Sequence, residues 1–215
     1  MRRSWGFLRE PVNSLSHMIA TFLAIAGMVV LLVLARGRPI HVVSFAVYGV
    51  TLTVLFAAST IYHTVTVPPK AEAWFQKIDY IAIFCLIAGS YMPIGLVALG
   101  GVWGWSVFGV ELGLAIIGIL AMLFWRGCPH WVRVVLYVAM GWGIVIAIGP
   151  LRHALPDSAM AWLFTGGALY TVGVAFYATD KPILWKGHVA GHEIWHIFVL
   201  LASICHYCLI VMYMT

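Results

Sequence analysis

The sequence predicts an all-α integral membrane protein, a bundle of seven transmembrane helices with the N-terminus cytoplasmic and the C-terminus outside. Three observations carry this. The 215 residues are 63% hydrophobic and only 9% charged, against about 45–50% and about 25% in an ordinary soluble domain. Mean hydropathy is +1.01, and no soluble fold of this size buries that much apolar surface. The apolar residues also fall into seven runs close to the roughly 20 residues that cross a bilayer, and the positive charges alternate between their connections. Soluble enzymes, disordered chains and disulfide-stapled secreted domains are thereby excluded. One seven-helix domain over 1–215 is expected.

The first run, 14–35, follows Arg2, Arg3 and Arg9. It is longer than a signal-peptide core and no small-residue cleavage pattern follows, so it is expected to stay as the first helix. Gly37 and Pro39 turn the chain into the run 41–65, and Pro68 and Pro69 close that run. Gly100 and Gly101 separate 74–98 from 104–125. Gly127 and Pro129 precede 131–150, and Pro150 and Pro156 precede 160–178. Asp180 and Pro182 interrupt the chain before 188–213. Each break carries residues that end helices or favour turns.

With the N-terminus inside, the inner segments carry Arg2, Arg3, Arg9, Lys70, Lys77, Arg126, Arg133, Lys181 and Lys186. The outer segments carry Arg36, Arg38 and Arg152. Nine against three is the asymmetry that fixes orientation in membranes. The net charge of +5 forms no basic stripe, so nucleic acid is excluded as a partner. Cys205 and Cys208 lie inside an apolar run and read as small helix residues, since a redox C-x-x-C belongs after a strand in a soluble fold.

Ionisable groups inside a span are expensive and mark candidate functional sites. Helix parity brings several of them to one depth. Asn13, Ser16 and His17 open the first helix. Ser59 and His63 close the second, Asp79 lies early in the third, and His188, His192 and His196 lie at the start of the seventh. Ser59 and His63 share a helix face, as do His192 and His196, because residues four apart are neighbours. Two imidazoles so spaced can hold one metal ion. His63 supplies a third ligand, and three histidines with an open position are the donor set of catalytic zinc sites. Asp79 is expected to hold an imidazole N–H or a water at the metal. His17 by itself reads as a packing histidine. His188 is about 12 Å from His196 by helix rise, too far to share its ion, and is expected at the interface. His41, His130 and His153 read as solvated loop-edge residues. His206, about 15 Å beyond His196, stands apart, and Glu111 is an unassigned acid within the fourth helix.

Residues 192–196, His-Glu-Ile-Trp-His, also fit the zinc-protease pattern H-E-x-x-H with Glu193 as base. No downstream Asp or Glu follows His196 to act as a further ligand. Glu193 reads instead as a carboxylate favoured at a helix start.

Several stretches together resemble the hemolysin III family, bacterial relatives of the progestin and adiponectin receptors in a superfamily that includes alkaline ceramidases. They are Glu-Pro-Val-Asn-Ser-Leu-Ser-His at 10–17, Ala-Ser-Thr-Ile-Tyr-His at 58–63 and Ile-Asp-Tyr-Ile-Ala-Ile-Phe at 78–84. Ala-Gly-Ser-Tyr-Met-Pro at 88–93, Tyr-Val-Ala-Met-Gly-Trp at 137–142 and His-Glu-Ile-Trp-His-Ile-Phe-Val-Leu at 192–200 complete them. The resemblance implies seven helices with the N-terminus inside. It implies zinc held by His63, His192 and His196, with Ser59 and Asp79 as polar partners of the metal-bound water.

The leading expectation is a zinc-dependent hydrolase of a membrane lipid amide or ester, with Asp79 and Ser59 as catalytic residues. A bacterial cytoplasmic membrane is its expected location. Two alternatives stay open: a membrane sensor in which zinc only clamps helices, and a cytolytic protein as the family name suggests. The second lacks the polar stripe that a water-filled pore needs.

Overall fold

The computed structural model describes residues 8–125, 127–185 and 189–215. Seven helices in it are long and apolar enough to cross a membrane: α1 Pro11–Leu34, α2 Pro39–Thr64, α3 Pro69–Leu99, α4 Gly101–Phe124, α5 His130–Ala154, α6 Asp157–Thr179 and α7 Gly191–Tyr213. Among the described residues there is no strand, and Trp185 and Val189 form an isolated antiparallel bridge. The protein is therefore an all-helical, multi-pass membrane protein. His188, expected at the interface, lies outside the described residues.

Proline explains where the helices begin. Pro11, Pro39 and Pro69 each occupy the first helical turn, where the missing N–H costs nothing and the fixed φ favours the helix. Pro39 and Pro69 thus start helices, with Gly37 supplying the positive φ of the turn before α2. Two prolines sit inside helices instead, beside distortions. Pro93 opens π-helical turns, Pro93–Leu99, that finish α3. In α5 a 3-10 segment, Gly143–Ala147, precedes Pro150, and the helix then runs on to Ala154. The helix therefore does not stop at Pro150 as expected. Pro150 is tolerated because it is the third residue of the resumed helical segment Ile148–Ala154, where a missing N–H costs nothing. The break itself, at Gly143, is bridged by the Tyr91 hydroxyl, which donates to the Met140 carbonyl at 2.6 Å and accepts the Ile144 N–H at 2.9 Å. Those are backbone groups on either side of the break, and buried backbone groups need partners.

Helix α3 is the hub. Two thirds of its apolar window (67%) is buried, against 22–39% in the other six helices. It packs on α2, α4 and α5. The backbones of α3 and α4 touch where Gly95 meets Gly104, and any side chain at Gly104 would strike the Gly95 carbonyl. Helix α7 packs along α6 and against α1, whereas α5 and α6 barely touch. The outer faces carry exposed apolar residues such as Phe22, Val102, Phe124 and Ile146. Such a surface suits acyl chains and not water.

Candidate metal centre

Four helix ends build the site, because four helices begin or end at the same level. The last turn of α2 presents Ser59 and His63, both almost completely buried. The first two turns of α7 present His192 and His196. The third turn of α3 presents Asp79, and the start of α1 presents Asn13 and His17. Helix α7 starts where it does because its first N–H groups find acceptors: the Asp180 carboxylate accepts the His192 N–H at 3.1 Å, and Glu193 Oε2 accepts the Ala190 N–H at 2.8 Å.

His63, His192 and His196 each point a ring nitrogen at the others, and these atoms lie within 4.8 Å of one another. The His192 and His196 Nε2 atoms are 3.2 Å apart. The His63 ring centroid is 4.6 Å from that of His196 and 5.3 Å from that of His192. His63 Nε2 is buried with no hydrogen-bond partner, an expensive condition for a polar atom. A metal ion fits this arrangement, since three converging imidazole nitrogens are a transition-metal donor set.

The back of the cluster was not legible in the sequence. His63 Nδ1 is 2.7 Å from Glu10 Oε2, so of the two expectations for Asp79, an imidazole N–H or a water, the N–H of His63 goes to Glu10. Asn13 Nδ2 donates to Glu10 Oε2 at 2.9 Å and to Glu193 Oε1 at 3.3 Å. The segment is tied down further by the Glu10 N–H bonding the His63 carbonyl and by Arg9 bonding Glu72 and the Tyr62 carbonyl. His17, read as a packing residue, brings Nε2 to 2.9 Å from His196 Nδ1. Each of these two histidines thus carries a polar partner on the nitrogen that faces away from the cluster, the arrangement that fixes tautomer and ring orientation in metal sites. The signal available in the sequence was Glu10, Asn13 and His17 at the start of one apolar helix. The folded contacts alone assign their partners.

Asp79 is buried, with the Ser59 hydroxyl beside it and His63 close enough to act on it electrostatically. Ser59, Asp79, His17, His192 and His196 all line one end of a cavity of about 130 Å³ that runs between α5 and α6 and along α7. Its walls are overwhelmingly apolar, and its other end holds Tyr48, Tyr170 and His206. Glu111 lies away from both ends, buried against Gly143 at the break in α5, with Oε2 unpartnered.

Glu193, the base of a protease reading, is buried and occupied by the Ala190 N–H and Asn13. Glu193→Gln is expected to leave the metal content of the cluster within about threefold of the parent, because the Glu193 oxygens face Ala190 and Asn13 and the cluster's donors are the three imidazoles. Removing a group that holds a ligand ring instead costs about 10–100-fold in metal affinity. Metal titration of the purified variant distinguishes the two.

The haemolysin-III-related family profile matches residues 5–207. Hemolysin-3 of Bacillus cereus is 36% identical over 93% of this chain and 90% of its own. The hemolysin-3 homolog of Bacillus subtilis is 35% identical over 89% of this chain and 87% of its own. The adiponectin receptor protein of Drosophila melanogaster is 25% identical over 76% of this chain and 40% of its own. The profile match covers six helices and most of α7, including every residue of the histidine cluster, and the chain belongs to the haemolysin-III-related family.

Proposed function

We propose that the protein is a zinc-dependent hydrolase acting on an amide or ester bond of a membrane lipid. The observation that carries this is the continuity of the histidine cluster with a long apolar cavity, one end polar and the rest suited to an acyl chain. His63, His192 and His196 are the proposed zinc ligands. The unpartnered His63 Nε2 and the converging rings fit that ion. When bound, zinc supplies Lewis acidity and acidifies water toward about pH 7.

The protein's own residues do the rest. Asp79, on the cavity side of the cluster, takes a proton from the attacking water and returns it to the departing amine or alcohol. Ser59 holds the Asp79 carboxylate by a hydrogen bond. His17 and Glu10 hold the ligand rings in place. The apolar walls keep bulk water from the acyl chain and align the scissile bond with Asp79, and the sparse contact between α5 and α6 lets lipid in from the bilayer. The charge asymmetry supports a cytoplasmic N-terminus, which puts the site in the inner leaflet of a bacterial cytoplasmic membrane.

Asp79→Asn keeps the shape of the side chain and removes its basicity. It is expected to retain metal and lose about 10² or more in turnover. The assay is release of fatty acid from ceramide and ester lipids by metal-loaded protein in detergent, beside metal content by mass spectrometry. Parent protein that holds zinc and turns over none of these lipids would instead make the ion a clamp between α2 and α7.

A further inference from the structure

The end of the cavity remote from the histidine cluster carries polar atoms that the proposed chemistry does not use. Tyr48, on α2, is almost wholly buried and its hydroxyl has no hydrogen-bond partner. His206, on α7, has a buried Nε2 that is also unpartnered. Tyr170, on α6, links the two. Its ring packs on His206 with centroids 5.6 Å apart, and it is near enough to Tyr48 for the two to interact electrostatically. The Tyr170 hydroxyl itself is committed to Ser203 Oγ at 2.9 Å. All three aromatic side chains line the cavity. The His206 ring fits only because position 166 is glycine, since a Cβ there would collide with its Cδ2 and Nε2.

Buried polar atoms are normally satisfied, and the hydroxyls along the cavity between the two ends, those of Ser90, Tyr91, Tyr137 and Thr171, are already donated to backbone carbonyls. Two residues with unpartnered polar atoms, from different helices, thus line one apolar cavity, His206 lying about 15 Å along α7 from His196 by helix rise. We infer that this end of the cavity is a second polar subsite, which takes a hydroxyl borne part-way along the apolar chain of a bound lipid. A hydroxyl both donates and accepts, so it is the group suited to accept from the Tyr48 hydroxyl and to donate to His206 Nε2. A plain hydrocarbon chain leaves both unsatisfied. This rests on the reading of the cavity as a lipid site, and it adds selectivity among chains, independent of the reaction at the metal.

The test is competition binding in detergent with intact, metal-loaded protein. A fluorescent fatty acid is displaced by stearate and by stearates hydroxylated at successive carbons of the chain. One hydroxylated isomer is expected to bind about tenfold tighter than stearate, the scale of one satisfied buried hydrogen bond. Tyr48→Phe and His206→Phe keep the ring volume and are expected to erase that advantage while leaving stearate affinity unchanged. His63→Ala is expected to keep it. If stearate binds but no isomer is preferred, or if the preference survives in both variants, the subsite is refuted and the lipid reading stands. If no fatty acid displaces the probe, both fall together.

Discussion

Alanine at His192 or at His196 is expected to empty the metal site and abolish lipid hydrolysis together. Each residue contributes one of three ring nitrogens that lie within 4.8 Å of one another. Three-ligand sites have no redundancy, because the two imidazoles left, one on α2 and one on α7, hold an ion far less tightly than three. Apparent binding energies of structural zinc sites are about 10–16 kcal/mol. A third of that is about 3–5 kcal/mol, which lowers affinity by about 10²–10⁴. Metal content should therefore fall from about one zinc per chain to a small fraction, while His206→Ala, about 15 Å away, retains its zinc. Mass spectrometry on protein purified without chelator reads this directly. A parent protein that carries no metal would turn the three histidines into packing groups and remove the hydrolase reading.

The second large effect is expected at a residue that touches no ion. Glu10 Oε2 lies 2.7 Å from His63 Nδ1, and Asn13 ties the same carboxylate oxygen to the start of α7 through Glu193. A carboxylate on the far nitrogen fixes the tautomer that offers Nε2 to the cluster and raises the ring's basicity. Removing such a partner costs about 10–100-fold in metal affinity. Glu10→Ala, which loses both the hydrogen bond and the charge, is expected near the upper end of that range. Glu10→Gln keeps an acceptor oxygen and is expected near the lower end. Cobalt titration followed by the visible ligand-field bands reads both affinity and coordination geometry. Affinities equal to the parent in both variants would show that Glu10 serves only to anchor the chain before α1. A role in anchoring alone would instead lower the melting temperature of metal-stripped protein without moving the cobalt bands.

These two expectations differ in where they come from. His63, His192 and His196 are legible in the sequence, because i, i+4 spacing puts residues on one face and because the parity of seven spans returns α2 and α7 to the same level. Helix count and the level of each polar residue follow from hydropathy, which is a local property. Glu10 was not legible as a partner of His63. Fifty-three positions separate the two, and nothing in their spacing says which of several carboxylates lies behind an imidazole. Asp79 was an equally reasonable choice on sequence grounds. The fold gives the N–H to Glu10 and leaves Asp79 facing the cavity beside Ser59. Glu193 makes the same point in reverse. Its pentapeptide fits a protease motif, yet one oxygen caps the start of its own helix by accepting the Ala190 N–H, and the other accepts from Asn13, a contact that forms only when α1 packs on α7.

The interior prolines divide along the same line. Pro39 and Pro69 mark boundaries in both sequence and structure, because a missing N–H is harmless at a first turn. Pro150 reads as a terminator in isolation. The helix instead breaks earlier, at Gly143, where Tyr91 from another helix satisfies the flanking backbone groups, and Pro150 falls in the first turn of the resumed segment, where its missing N–H is harmless.

By itself, then, the amino-acid sequence determined that seven apolar helices cross a membrane and that histidines and one aspartate gather near one end of them. Those properties depend on hydrophobic run length and on the 3.6-residue period, which are set along the chain. The tertiary structure alone decided which acid backs which imidazole, that α5 runs on through Pro150, and that an apolar cavity joins the histidine cluster to Tyr48 and His206. Those are contacts between residues distant in sequence, and their partners are chosen by packing, which no local pattern records.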